Sequence, residues 1–138
     1  MLEAVMPWNA LWYDKEEMII MYEPVEPWTW EEFVDAIRRG QDMMREKPHF
    51  VDTIYNLHPP ITMPSSSALG YFREVYATDP ENSGINAVIG ATSFVESLVS
   101  VITSVMGGKS RFKFVSGMEE ALAVIEKARA ERAGKSSE

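Results

Sequence analysis

Apolar positions along this chain switch repeatedly between a period of two and a period near three and a half, and each switch predicts an element boundary. Asn9-Ala10-Leu11-Trp12-Tyr13 and Met18-Ile19-Ile20-Met21-Tyr22 are strand-like runs separated by Asp14-Lys15-Glu16-Glu17, a polar link short enough for an antiparallel hairpin. Pro24 and Pro27 end the second run, because proline cannot donate to a ladder. Thr29-Trp30-Glu31-Glu32 has the spacing of a capping box, in which the threonine oxygen accepts a helical N–H and the Glu32 carboxylate reaches back. Trp30, Phe33, Val34, Ile37, Gln41 and Met44 follow at three-to-four spacing, with Glu31, Asp35, Arg38, Arg39 and Asp42 toward water, and Pro48 closes the helix.

From Phe50 onward strand and helix patterns alternate. Phe50 to Leu57 is apolar enough to lie inside a sheet and runs into His58-Pro59-Pro60, where a loop must begin. Ser65-Ser66-Ser67 caps a second helix whose buried stripe is Leu69, Phe72, Val75 and Tyr76, ending near Asp79-Pro80. Ile85 to Ile89 is the next strand, and Gly90-Ala91-Thr92-Ser93 links it to an apolar helix from Phe94 to Met106, with Ser93 and Glu96 at capping-box spacing. Arg111 to Val115 is the last strand. Ser116 and Glu119 form a further box, opening a helix with Ala121, Leu122, Ile125 and Ala128 inward. Its apolar period ends at Arg129, so residues 130–138 are expected to fray. The order β-β-α-β-α-β-α-β-α predicts one α/β domain: a mixed, mostly parallel sheet of about five strands with four helices, the first hairpin supplying the antiparallel pair.

That order, with Ser116-Gly117-Met118-Glu119-Glu120-Ala121-Leu122 opening the last helix, resembles the STAS superfamily of anti-sigma-factor antagonists and sulfate-transporter cytoplasmic domains, over about Asn9 to Arg129. The resemblance implies a domain that binds protein partners or small ligands rather than a catalyst. In partner-switching members a serine at the start of the helix after the third strand is phosphorylated, within a short Asp-Ser-Ser-Gly-like turn. The comparable stretch here, Met63 to Gly70, has the serines, but Pro64 precedes them and there is no aspartate.

Composition narrows the function classes. A 138-residue chain with 46% apolar and 25% charged residues is ordinary globular material. The net charge of −8 argues against nucleic acid, whose binding needs a concentrated basic surface. Zero cysteines remove thiol nucleophiles, disulfides and thiolate metal sites, and suit a reducing cytoplasm. Met1 to Pro7 lacks the basic start and apolar core of a signal peptide. The Phe94 to Met106 stretch is broken by Glu96 and four hydroxyl residues and falls short of the roughly 20 residues that span a bilayer, so no membrane insertion is expected.

Each candidate for chemistry has a plainer rival. Ser65, Ser66 and Ser67 could hold an anion or accept phosphate at a helix start, yet capping alone explains them. Gly90, Thr92 and Ser93 lie where open α/β sheets place ligands, but no glycine-rich nucleotide fingerprint is present. His58 follows the third strand and His49 precedes it, too far apart to share a metal. Asp52 and Asn56 point to one face of that strand, and a hydrogen-bonded structural aspartate is the expected role of Asp52. Trp8, Trp12, Trp28 and Trp30, with Tyr13, Tyr22 and Met18, could wall an apolar cleft between hairpin and first helix, or simply pack. The Phe94 to Met106 helix is apolar on more than one side, and its surplus face offers a homodimer contact.

The sequence therefore points to a non-enzymatic regulatory or protein-interaction module, with a partner or anion surface at His58, Ser65, Ser66, Ser67, Gly90, Thr92 and Ser93. The alternative is a small-molecule or lipid carrier with a pocket at Trp12, Met18, Trp28 and Trp30. An enzyme of unknown class is third. No catalytic set, cofactor or metal site is expected.

Overall fold

Strands and helices alternate as the periodicity predicts. The computed structural model of the chain describes residues 8–57, 68–105 and 111–136. In that span the order is β1 (Trp8–Trp12), β2 (Ile19–Pro24), α1 (Trp30–Arg45), β3 (Val51–Asn56), α2 (Ala68–Tyr76), β4 (Ser83–Ile89), α3 (Ser93–Val105), β5 (Phe112–Val115) and α4 (Met118–Ser136). The strands form one sheet in chain order; β1 pairs antiparallel with β2, and β2 through β5 are parallel. Over the described residues the fold is therefore α/β with a mixed, mostly parallel five-stranded sheet and four helices.

Topology decides which face each helix covers. The three crossovers from β2 to β5 all step one strand in the same direction, and connections of one hand then place their helices on one face. Ile20, Tyr22, Val51, Tyr55 and Val88 accordingly pack with residues of α1, α2 and α3 in one cluster. Alternate residues of the same strands, Ile19, Ile54, Ala87 and Ile89, pack with Ala121 and Ile125 of α4 on the other face. Each aliphatic side chain so buried contributes about 1.5–3 kcal/mol. On the three-helix face, Tyr22 stacks on its strand neighbour Tyr55 with ring centroids 4.9 Å apart. A Cβ on Gly40 would lie 1.8 Å from the Tyr22 hydroxyl, so only glycine lets α1 approach β2 this closely.

The first capping box forms as read: Thr29 Oγ1 accepts the Glu32 N–H at 3.2 Å and Glu32 Oε1 accepts the Thr29 N–H at 2.8 Å. The other two shift by one residue. Thr92, not Ser93, caps α3, its hydroxyl accepting the Val95 N–H at 3.3 Å. At α4, Glu120 rather than Glu119 reaches back, accepting the Ser116 N–H at 2.7 Å.

Helix α4 continues past Arg129 to Ser136, through most of the stretch expected to fray. The reason is that its inward stripe goes on in charge rather than in carbon. Ala121 and Ile125 are followed on the same face by Arg129 and Arg132, which meet Asp52 on β3. Asp52 is fully buried and accepts both Arg132 guanidinium nitrogens, at 3.0 and 2.9 Å, and the Ile85 N–H at 2.9 Å. The Arg132 guanidinium also sits 4.8 Å from the Phe50 ring centroid.

Candidate functional site

The two edges of the parallel sheet are built differently. At the amino edge, side chains stitch neighbouring elements together. Asn82 Nδ2 donates to the carbonyls of Met44 at 2.7 Å and His49 at 3.0 Å, Gln41 to Val75 at 2.8 Å and Arg45 to Thr78 at 2.6 Å. Asp79, between α2 and β4, lies 3.6 Å from Arg111, and burial pushes its carboxyl above the usual range despite the hydrogen bond to Ser83 and the nearby arginines. Asp52 and Arg132 belong to this end too, so that carboxylate is committed to holding α4. His49 is half-buried, with Nδ1 2.9 Å from the Phe50 carbonyl.

The carboxyl edge presents connections. Asn56 and Ile89 are register partners, and Leu57 N–H donates to the Ile89 carbonyl at 2.9 Å, so the chain leaves β3 beside the turn that follows β4. Gly90 in that turn has φ 77°, a left-handed conformation that favours glycine. Thr92 and Ser93 are exposed there, and Phe94 in the first turn of α3 is 53% exposed. Glu96 already supplies negative charge to that first turn, which competes with a bound anion. Of the residues expected on this surface, Gly90, Thr92 and Ser93 thus share one rim. His58, Ser65, Ser66 and Ser67 lie outside the described residues.

Beneath this edge, on the three-helix face, is an aromatic cluster. Trp8 meets Trp28 edge to face at 5.1 Å, Trp28 meets Trp30 at 5.0 Å, and Trp8 meets Phe33 at 5.2 Å. They leave a cavity of about 30 Å³, also lined by Leu57 just after β3, Val95 and Val99 of α3, and side chains of α2, β4 and β5. Its floor includes Tyr55 and Tyr76, whose hydroxyls are hydrogen bonded at 2.8 Å. Burial drives both phenols far above their ordinary pKa, so they stay neutral.

The sequence reading placed Trp12, Met18, Trp28 and Trp30 around such a space. Trp28 and Trp30 do line it; Trp12 and Met18 do not. β1 runs opposite to β2, which puts Trp12 opposite Ile20 near the amino edge, where the Lys47 ammonium lies 5.3 Å from its ring. Trp8, at the other end of β1 opposite Pro24, takes the wall position instead. Strand direction was the available signal: in a hairpin, the start of the first strand lies beside the end of the second. The contributions of α2, α3 and β5 carried no such signal, since apolar stripes look alike whether or not they border a void.

Among the described residues no three His, Cys, Asp or Glu side chains converge as metal ligands, and no helix is long and apolar enough to cross a membrane. No protein-family model matches the chain, and no curated protein sequence matches it. A solved structure does: the "NMR Structure of the protein TM1081" aligns over 89% of this chain and 90% of its own, with a TM-score of 0.53 at 14% sequence identity. The likeness is one of fold.

Proposed function

We propose that this chain is a non-catalytic, STAS-like regulatory module, working in the cytoplasm, that captures a protein partner at the carboxyl edge of its sheet. The observation that carries the reading is Phe94: a large aromatic, 53% exposed, held in the capped first turn of α3 beside the Gly90–Thr92 turn. Aromatic side chains on such positions are the usual anchors of protein interfaces. The stitched amino edge and the committed Asp52 favour assigning that end to stability. The net charge of −8 favours a partner with basic residues around an apolar contact.

The test is affinity capture from cells that express the chain naturally, comparing wild type with Phe94→Asp and with Phe50→Asp. Phe50 is also exposed, at 44%, but lies at the amino edge. A protein retained by wild type and Phe50→Asp and lost with Phe94→Asp is expected; equal retention by all three refutes the placement.

A second copy of the chain is the other occupant that one observation favours. Phe94 and Val101, seven residues apart and therefore on one side of α3, are both about half exposed, and Glu96 is the one charged residue of that helix. Two copies with a net charge of −8 can approach through a nearly neutral helix with little repulsion. Sedimentation equilibrium of wild type and Val101→Lys separates this from capture at the rim.

A further inference from the structure

We infer that the cavity lined by Trp8, Trp28 and Trp30 is a binding site for one small, uncharged hydrocarbon group, a ring or a short alkyl chain. The inference goes beyond partner capture and stands independently of it. The location is the first ground: the space lies under the carboxyl ends of the parallel strands, with Leu57 lining it just after β3, and open α/β sheets take ligands at that end. The chemistry of the wall is the second. Every lining side chain presents carbon to the space, so a water entering it finds no hydrogen-bond partner, and spaces of this kind stay dry until an apolar molecule fills them.

The third ground is the state of two wall indoles. Trp8 and Trp28 are 2% and 6% exposed, and the N–H of each is buried with no acceptor among the described residues. A core built for packing alone gains from phenylalanine at such positions, which fills similar space and buries no donor. The missing hydrogen bonds have a mechanical consequence: both rings are held by edge-to-face contacts, which yield to small displacements. Trp28 moreover sits on the connection between β2 and α1, outside either element. The opposite wall is firmer, because the Tyr55 and Tyr76 hydroxyls tie β3 to α2. A space of about 30 Å³ is too small for a ring as it stands; one firm wall and two unpinned indoles allow it to open without breaking a hydrogen bond.

The experiment equilibrates the full chain in buffer with benzene or with n-hexane and follows thermal unfolding by calorimetry, with near-ultraviolet circular dichroism of the indoles as a second readout. A ligand that binds only the folded state raises Tm in proportion to its occupancy. Wild type is expected to gain a few degrees with at least one probe, with an altered indole spectrum. Val99→Phe, which fills the space, is expected to unfold cooperatively and show no gain. A gain with benzene alone identifies a ring site, and a gain with hexane alone a chain site. Unmoved Tm with both probes overturns the inference, as does an equal gain in Val99→Phe. If Val99→Phe fails to fold, Val88→Leu fills the same space from β4 and is judged by the same criterion.

Discussion

Arg132 grips both carboxylate oxygens of Asp52 across eighty residues of sequence, fastening the far end of α4 to the middle strand of the sheet. Removing the cation leaves a fully buried carboxylate with Arg129, 3.5 Å away, as its remaining charge partner. Breaking one side of such a pair costs about 3–5 kcal/mol, and Arg129 recovers part of it. Arg132→Met is therefore expected to lose about 2–3 kcal/mol, and the Arg129→Met/Arg132→Met double variant more than the sum of the singles. Urea unfolding of the four chains measures it; simple additivity removes the shared role given to Arg129.

Gly84 is the second partner that Asp52 requires. A Cβ at that position would stand 2.0 Å from Asp52 Oδ1 and 3.0 Å from an Arg132 nitrogen. Gly84→Ala must displace the ion pair and is expected to lose about 2–4 kcal/mol, a size reserved for broken buried networks. In an Asp52→Ala background the same change should cost under about 1 kcal/mol. An undiminished cost there would place the strain elsewhere.

The cap of α3 separates two adjacent hydroxyls. Thr92→Ala removes the acceptor of the Val95 N–H and is expected to cost about 1 kcal/mol, whereas Ser93→Ala should fall within about 0.5 kcal/mol of wild type. Chemical denaturation midpoints decide between them, and the reverse ranking would restore Ser93 as the cap.

That one-residue offset shows what the sequence could and could not disclose. Element order, the parallel sheet and the Thr29 cap were legible because each follows from local periodicity or from three-residue spacing. The offsets at Thr92 and Ser116 arise because a hydroxyl or a glutamate stands at two neighbouring positions, Thr92 and Ser93 in one case, Glu119 and Glu120 in the other, and spacing alone does not rank them. The length of α4 was hidden for a different reason. Arg129 and Arg132 read as the end of the apolar stripe until an aspartate eighty residues before Arg132 is brought beneath them. Trp8 was visible as part of a tryptophan cluster, but its place in the cavity wall depends on which end of β1 meets the end of β2.

Two carboxylates should respond to pH with opposite sign. Burial raises Asp79, so the folded chain holds that proton more tightly than the unfolded chain does. Its stability contribution is complete below the unfolded value of about 4 and is lost as pH climbs toward the raised folded value. Glu120 is lowered by the Ser116 N–H, so its contribution is complete above the unfolded value and is lost as pH falls through the folded one. Asp79→Asn is expected to be more stable than wild type at pH 7, and Glu120→Gln less stable, with both differences closing at about pH 3. Urea midpoints at the two pH values test this; shifts of the same sign at pH 7 contradict it.

Because the sheet is laid down in the order of the chain, no strand has to be threaded between two already joined. A polypeptide leaving the ribosome can lengthen its sheet one strand at a time, each newcomer docking on the one made just before it. Asp52 is the exception. It enters the growing core early with the Ile85 N–H as a neutral partner and waits for a guanidinium synthesised eighty residues later, so α4 is the helix that completes the electrostatics of the central strand.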